Sequence, residues 1–377
     1  MQRIYLDNAA TTPVHPEVVV TMTNVLNDVF GNPSSTHQFG RKAKAVVEEA
    51  RKYIAKQFNV SPGEVVFTSG GSEADNLILK NAVANLGVKR IISSIIEHHA
   101  VLHTIEWLEK EYDIKVEYVN LDAKGTVDYK HLEALLKQDE HKTLVSLMHI
   151  NNELGNLLDI NKVSTLCRNY DAYFHSDTVQ TIGHYKLDMQ QTPIDFITAS
   201  AHKFHGPKGV GFAIAKKGIP LKAMIIGGEQ ERGHRAGTEN VHNIAGFHKA
   251  LQLAIDNLER DQQYIAGLKS YFIEGLKNSI PGITFNGRSD DPNLSSYIIL
   301  NVRFSKTIPM FLFNLDLKGV AASGGSACQS GSDKGSHVLK AILPEEEAKK
   351  TSVRFSFSKF LTKEDLDYSL RVIANFF

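Results

Sequence analysis

FITASAHKFHGPKGVGFAIAKK, residues 196–217, is the stretch on which the fold turns. Phe196-Ile197-Thr198-Ala199 is an apolar, β-rich run that leads into Ser200-Ala201-His202-Lys203. Gly206-Pro207-Lys208-Gly209 then forces a turn, and a second apolar run, residues 210–215, carries the chain back into a sheet. The middle of that turn sits at a strand end, where α/β proteins hold their ligands. A lysine desolvated there can lose its proton and attack a carbonyl carbon to form a Schiff base. Lys203 is therefore the first residue to consider for chemistry, with a solvated loop lysine as the plain alternative.

Outward from this stretch, strand-like and helix-like runs alternate. Residues 65–68, 90–96, 115–119, 144–149, 172–175, 196–199 and 209–215 read as strands. Helical spacing covers 17–28, 40–58, 73–86, 100–111, 129–136 and 160–169. This alternation predicts an α/β fold with a mostly parallel seven-stranded sheet covered by helices on both faces. After Asn243 the pattern changes. A long helical stretch, 242–278, is expected to be bent or broken, and shorter strands (284–286, 297–302, 320–322, 353–357) and helices (308–317, 364–374) follow. We expect a large domain over 14–257 and a smaller α+β domain made of 1–13 with 258–377.

The chain has 377 residues, 42% of them hydrophobic, enough for a large core. Lys+Arg and Asp+Glu are both 42, so nothing in the charge balance points to nucleic acid or an anionic membrane as the main partner. No apolar run approaches the roughly 18 residues of a membrane span. The start, MQRIYLDNAATT, lacks a signal-peptide core, so a cytoplasmic location is expected. Two cysteines, Cys167 and Cys328, exclude a disulfide framework and an all-cysteine metal site. Cys167 lies in a helical run and reads as a buried structural thiol. Cys328 lies in a Gly/Ser-rich loop, 323–332, where a thiol is exposed and ionises beside a positive group.

Three further segments carry polar groups to strand ends. Thr68-Ser69-Gly70-Gly71-Ser72-Glu73 follows a strand and opens a helix, an arrangement whose free N–H groups suit a phosphate. Ser72 reads as helix cap, phosphate ligand or both, with Asp75 at the third helical position returning a capping bond. Glu73 and Asp75 must then point away from the phosphate. Glu97-His98-His99 ends another strand: a histidine there can stack on a planar ring, while His99 and His103, four apart, have metal-ligand spacing without a completing carboxylate or cysteine, so no metal is expected. His175-Ser176-Asp177 repeats the geometry. A buried strand-end aspartate must be paired or protonated, and a pyridinium N–H is one good partner. Asn151-Asn152-Glu153 offers an amide near the same sheet edge.

Taken together, the segments resemble the class-V aminotransferase family of pyridoxal-phosphate enzymes, in particular its cysteine desulfurases of the iron–sulfur and nitrogen-fixation type. The resemblance runs nearly end to end, through YLDNAATTP (5–13), FGNPSS (30–35), FTSGGSEADN (67–76), EHHAVL (97–102), MHINNELG (148–155), FHSDTVQ (174–180), SAHKFHGPKGVG (200–211), GGEQERGHRAGTEN (227–240), SGGSACQSG (323–331) and VRFSFSKF (353–360). It implies the fold-type I architecture and pyridoxal 5′-phosphate as cofactor. It implies that Lys203 forms the Schiff base with the cofactor, Asp177 pairs with the pyridine nitrogen, and His98 stacks on the ring and serves as an acid/base. Gln180 and Asn152 would lie near the ring oxygen. Gly71, Ser72, Ser200 and His202 would hold the phosphate, with Thr238 donated by a neighbouring subunit of a homodimer. Arg354, with Asn152 beside it, would bind the substrate carboxylate. Cys328 would take sulfur from L-cysteine as a persulfide, transiently contact a cluster through it, and hand it to an acceptor such as an iron–sulfur scaffold, leaving alanine. The long cysteine loop resembles the first, cluster-assembly-linked group. A selenocysteine lyase or another class-V aminotransferase is the alternative reading. Two departures stand out: Thr178-Val179 where small residues are common, and Gly71-Ser72 where alanine or glycine plus threonine is usual.

Overall fold

The computed structural model describes residues 3–138, 140–324 and 335–377. The strands in chain order are β1 (Ile4–Tyr5), β2 (Val65–Thr68), β3 (Arg90–Ser93), β4 (Lys115–Tyr118), β5 (Thr143–Ser146), β6 (Tyr173–Asp177), β7 (Phe196–Ser200), β8 (Gly211–Ala215), β9 (Thr284–Phe285), β10 (Ile299–Arg303), β11 (Val320–Ala321) and β12 (Ser352–Ser356). Seven of them form the large sheet in the order β2-β8-β7-β6-β5-β3-β4. Every neighbouring pair from β7 to β4 is parallel, and β8 alone runs against its neighbours β7 and β2. The reversal follows from the connection. Residues 201–210 are too few for a crossover helix, so the chain must return antiparallel. His205 and Gly209 make the return with positive φ, 68° and 80°.

Alternate residues of these strands feed two cores. Val65, Phe67, Ile92, Val145, Phe174 and Ile197 pack on one face, while Val66, Ile91, Leu144, Phe196 and Ala213 pack on the other. That period of two, with both faces apolar, is what a sheet sandwiched between helix layers requires. The helix Gly71–Ala84 lies against β8 and β7, and Gln38–Gln57 packs with Val241–Asp256 on the opposite side.

The expected long helix beyond residue 242 is two helices, Val241–Asp256 and Leu258–Ser279, with Asn257 as the break. Downstream, a three-stranded antiparallel sheet, β12-β10-β9, builds a separate core around Phe272, Leu276, Leu300, Val302, Phe355 and Leu366. The N-terminal β1 pairs in parallel with β11, and Ile4 and Leu6 join this second core. Cys167 is buried, and burial pushes its thiol pKa up, in line with an inert structural group. No described helix is long and apolar enough to cross a membrane.

Candidate active site

The carboxyl ends of β6 and β7, the β7–β8 return and the start of the helix Gly71–Ala84 open onto one cavity of about 220 Å³. Its lining includes Gly71, Ser72, His98, Asn152, Asp177, Gln180, Ser200, His202, Lys203 and Arg354. These are the residues that the motifs single out, with two exceptions. Thr238 is exposed and does not line the cavity of its own chain. Cys328 lies outside the described residues.

The phosphate-cup end is shaped by glycine. Gly70 caps the helix with φ 154° and the first intrahelical bond is Ala74 N–H to Gly70 O, so the N–H groups of Gly71, Ser72 and Glu73 precede the ladder. A Cβ at Gly71 would stand 2.6 Å from Val179 Cγ2, and one at Gly211 would meet Ala199 O and the Gly70 backbone. The expected Ser72–Asp75 capping box is not formed. With Gly70 as the cap, Ser72 is the second helical residue, and Asp75 is buried against His175, Oδ1 to Nε2 3.4 Å. Glu73 turns to Arg235, Oε1 to Nε 2.9 Å, and accepts from Ser69 N–H at 2.8 Å.

Asp177 ends β6 at 8% exposure, and its Oδ1 accepts from Val179 N–H at 2.9 Å. Burial, reinforced by Asp75, pushes its pKa up to about 6, while His98 and His175 pull the other way. A cation placed against this carboxylate would relieve the burial. His98 caps the helix His99–Tyr112, its Nδ1 accepting from Ala100 N–H at 3.1 Å, so a neutral ring carries its proton on Nε2. Burial lowers its pKa, opposed by Asp177, and keeps the ring neutral at neutral pH. His202 is pushed down to about 4 by burial, with Lys203 and Lys208 adding to it. Lys203 Nζ donates to Ala9 O and Ala10 O, at 2.7 and 2.9 Å. Gln180 Nε2 donates to Ala9 O. Arg354 on β12 is buried rather than in a surface pair: Nη1 donates to Asn152 O, Nη2 to Asp7 Oδ1, and Nε has no partner among the described residues.

A lysine, a buried strand-end carboxylate and a glycine-built helix N-terminus in one cavity fit pyridoxal 5′-phosphate, with its aldehyde, ring nitrogen and phosphate. The sequence pattern of class-V aminotransferases matches residues 4–368. This chain belongs to the class-V aminotransferase family. Pyridoxal 5′-phosphate is the cofactor of such enzymes and of this one. Among class-V relatives, the chain is similar to cysteine desulfurase IscS of Dictyoglomus turgidum, 41% identical over 99% of this chain and 94% of the relative. It is 40% identical to the putative cysteine desulfurase IscS 1 of Bacillus subtilis, over 100% and 98%. In three dimensions it resembles a NifS-like protein, TM-score 0.90 with 34% identity over 99% of both chains. It also resembles SspA in complex with cysteine, TM-score 0.82 with 30% identity over 95% and 100%.

Sequence reading missed the supporting residues. Asp7, Ala9 and Ala10 sit in a recognisable segment, but nothing local shows that its carbonyls receive Lys203 or that Asp7 holds Arg354. Asp75 has a local signal, and reading it as a capping residue hid its burial against His175.

Proposed function

We infer that this class-V enzyme is a cysteine desulfurase that converts L-cysteine to L-alanine and passes the sulfur through Cys328 to an acceptor protein. The observation that carries the reading is the convergence of Lys203, Asp177 and the buried Arg354 on one cavity. Bound there, pyridoxal 5′-phosphate supplies the electron sink that makes the substrate's α-proton removable and weakens its Cβ–S bond.

The chain's own residues supply the rest. Gly71, Ser72, Ser200 and His202 would hold the phosphate, Asp177 the ring nitrogen, and Lys203 the aldehyde carbon. His98 would stack on the ring, and Gln180 and Asn152 would lie by its oxygen. Arg354, fixed by Asp7 and Asn152 O, presents its guanidinium edge to the substrate carboxylate. Lys203 Nζ is the base at the α-carbon, and His98, with its proton on Nε2, is a second acid/base. The thiolate of Cys328 attacks the substrate sulfur. An S–S bond forms as the Cβ–S bond breaks, the bond pair stays with the carbon fragment, and that fragment takes up a proton and leaves as alanine. Thr238, exposed on its own chain, suits a contact to the phosphate of a second copy in a homodimer. An iron–sulfur scaffold fits as acceptor, given the names of the relatives. Residues 14–257 and 1–13 with 258–377 are our working domain division.

The test adds L-cysteine to purified holoenzyme and measures alanine and protein persulfide. Cys328→Ser should keep the yellow cofactor colour and form no persulfide on the chain. Turnover of selenocysteine with cysteine left untouched would overturn the assignment.

A further inference from the structure

The helix that opens onto the phosphate cup carries an acid in its first turn. Glu73 stands at the third helical position, and its Oε2 accepts from the N–H of Ser69, the residue before the two glycines. Its side chain is 17% exposed. Burial raises the Glu73 carboxyl, yet Arg235 and the Ser69 N–H outweigh it and hold it below the ordinary carboxylate range. Glu73 is thus an anion hydrogen-bonded to the rim of an anion site, an unfavourable neighbour for a phosphate dianion.

One cation meets it. Arg235 Nε lies 2.9 Å from Glu73 Oε1 and Nη2 lies 3.5 Å from Oε2. Arg235 reaches this position on anchors of its own. His234 Nδ1 bonds with Leu221 O, Ala236 N–H with Ile225 O, and Gly237 N–H with Gln230 Oε1. The guanidinium is delivered by the 230–237 loop whether or not Glu73 is charged.

We propose that Arg235 is a positioning residue that sets the affinity of the cup for a phosphate dianion by neutralising Glu73. The proposal deepens the reading of this cup as the cofactor-phosphate site and rests on it. With Arg235 in place the dianion meets a neutral pair. Without it, the dianion meets a bare carboxylate in a partly desolvated rim.

The experiment measures equilibrium affinity of the apo-enzyme for pyridoxal 5′-phosphate and for pyridoxal, which lacks the phosphate, by quenching of protein fluorescence. Arg235→Gln should weaken pyridoxal 5′-phosphate roughly tenfold. It should leave pyridoxal within about twofold. Arg235→Gln with Glu73→Gln should return pyridoxal 5′-phosphate to within about threefold of the unaltered chain, because the offending charge is gone. Glu73→Gln alone, whose amide oxygen still accepts from Ser69 N–H, should bind the phosphate form as tightly or more tightly. Equal weakening toward both ligands, failure of the double variant to recover, or weaker binding by Glu73→Gln alone would overturn the proposal. If the unaltered chain bound pyridoxal and its phosphate equally, the underlying site reading would fall instead, and the proposal with it.

Discussion

Asp177 shows how one residue is set against the stability of its own fold. Its pKa rises from the ordinary 3.8 to about 6 on folding, chiefly through burial. Below about pH 3 the group is protonated in both folded and unfolded chains and costs nothing. Between about pH 4 and 6 the unfolded chain gives up this proton while the folded chain keeps it, so the apo-enzyme loses stability across that window, on the order of 3 kcal/mol. Asp177→Asn should therefore raise the melting temperature of the apo-enzyme at pH 7.5 and weaken cofactor retention, both read from thermal melts with and without pyridoxal 5′-phosphate. Gly71 and Val179 explain each other at the same scale. A methyl group at 71 would stand 2.6 Å from Val179 Cγ2. Gly71→Ala should disturb the cup and lower cofactor affinity several-fold, and Val179→Ala should restore it in the double variant.

At the scale of elements, the least legible feature is the treatment of the outer strand β2. Its inner edge pairs with β8, and its outer edge is met by side chains. Glu231 Oε2 accepts from Phe67 N–H, and Arg51 Nη1 donates to Val65 O. The two side chains also form a buried bidentate pair, at 2.7 and 2.8 Å. They replace a missing neighbour strand and fix the strand that leads into the cup. Glu231 and Arg232 both take left-handed backbone, φ 49° and 57°, a conformation that needs such anchoring. Arg51→Met leaves Glu231 buried and uncompensated and should cost about 3–5 kcal/mol in urea unfolding, whereas Arg51→Met with Glu231→Gln should cost less. Nothing in the sequence announces this pair, because 180 positions separate its members. The strands themselves were legible, since unbroken β-branched and aromatic runs are the signature of a doubly covered sheet. The turn at 206–209 likewise announced the reversal of β8. The helix cap was misread because Ser72 is a better intrinsic cap than Gly70. Val179 fills the space a residue-71 Cβ would need, so tertiary packing is the physical reason for a glycine there.

Across the whole molecule, the cavity is closed by the chain's two extremities. β1 adds to β11, Asn8 Nδ2 donates to Ser356 O, and Asp7 holds Arg354 across 347 positions. Ala9 and Ala10 carbonyls receive Lys203 Nζ from the middle of the chain. Removal of residues 1–10 should leave the seven-stranded sheet folded by circular dichroism, yet abolish borohydride-trapped pyridoxyl label on Lys203. Contacts of such length also fold slowly, since the loop they close must be ordered first.

That tie between the seventh residue and the three hundred and fifty-fourth sets a timetable for biosynthesis. A nascent polypeptide still threaded through the ribosome tunnel owns the lysine and the aspartate long before it owns the arginine. Substrate capture therefore waits for β12, and an arrested translation product ending short of that strand should lack the grip on the amino-acid carboxylate.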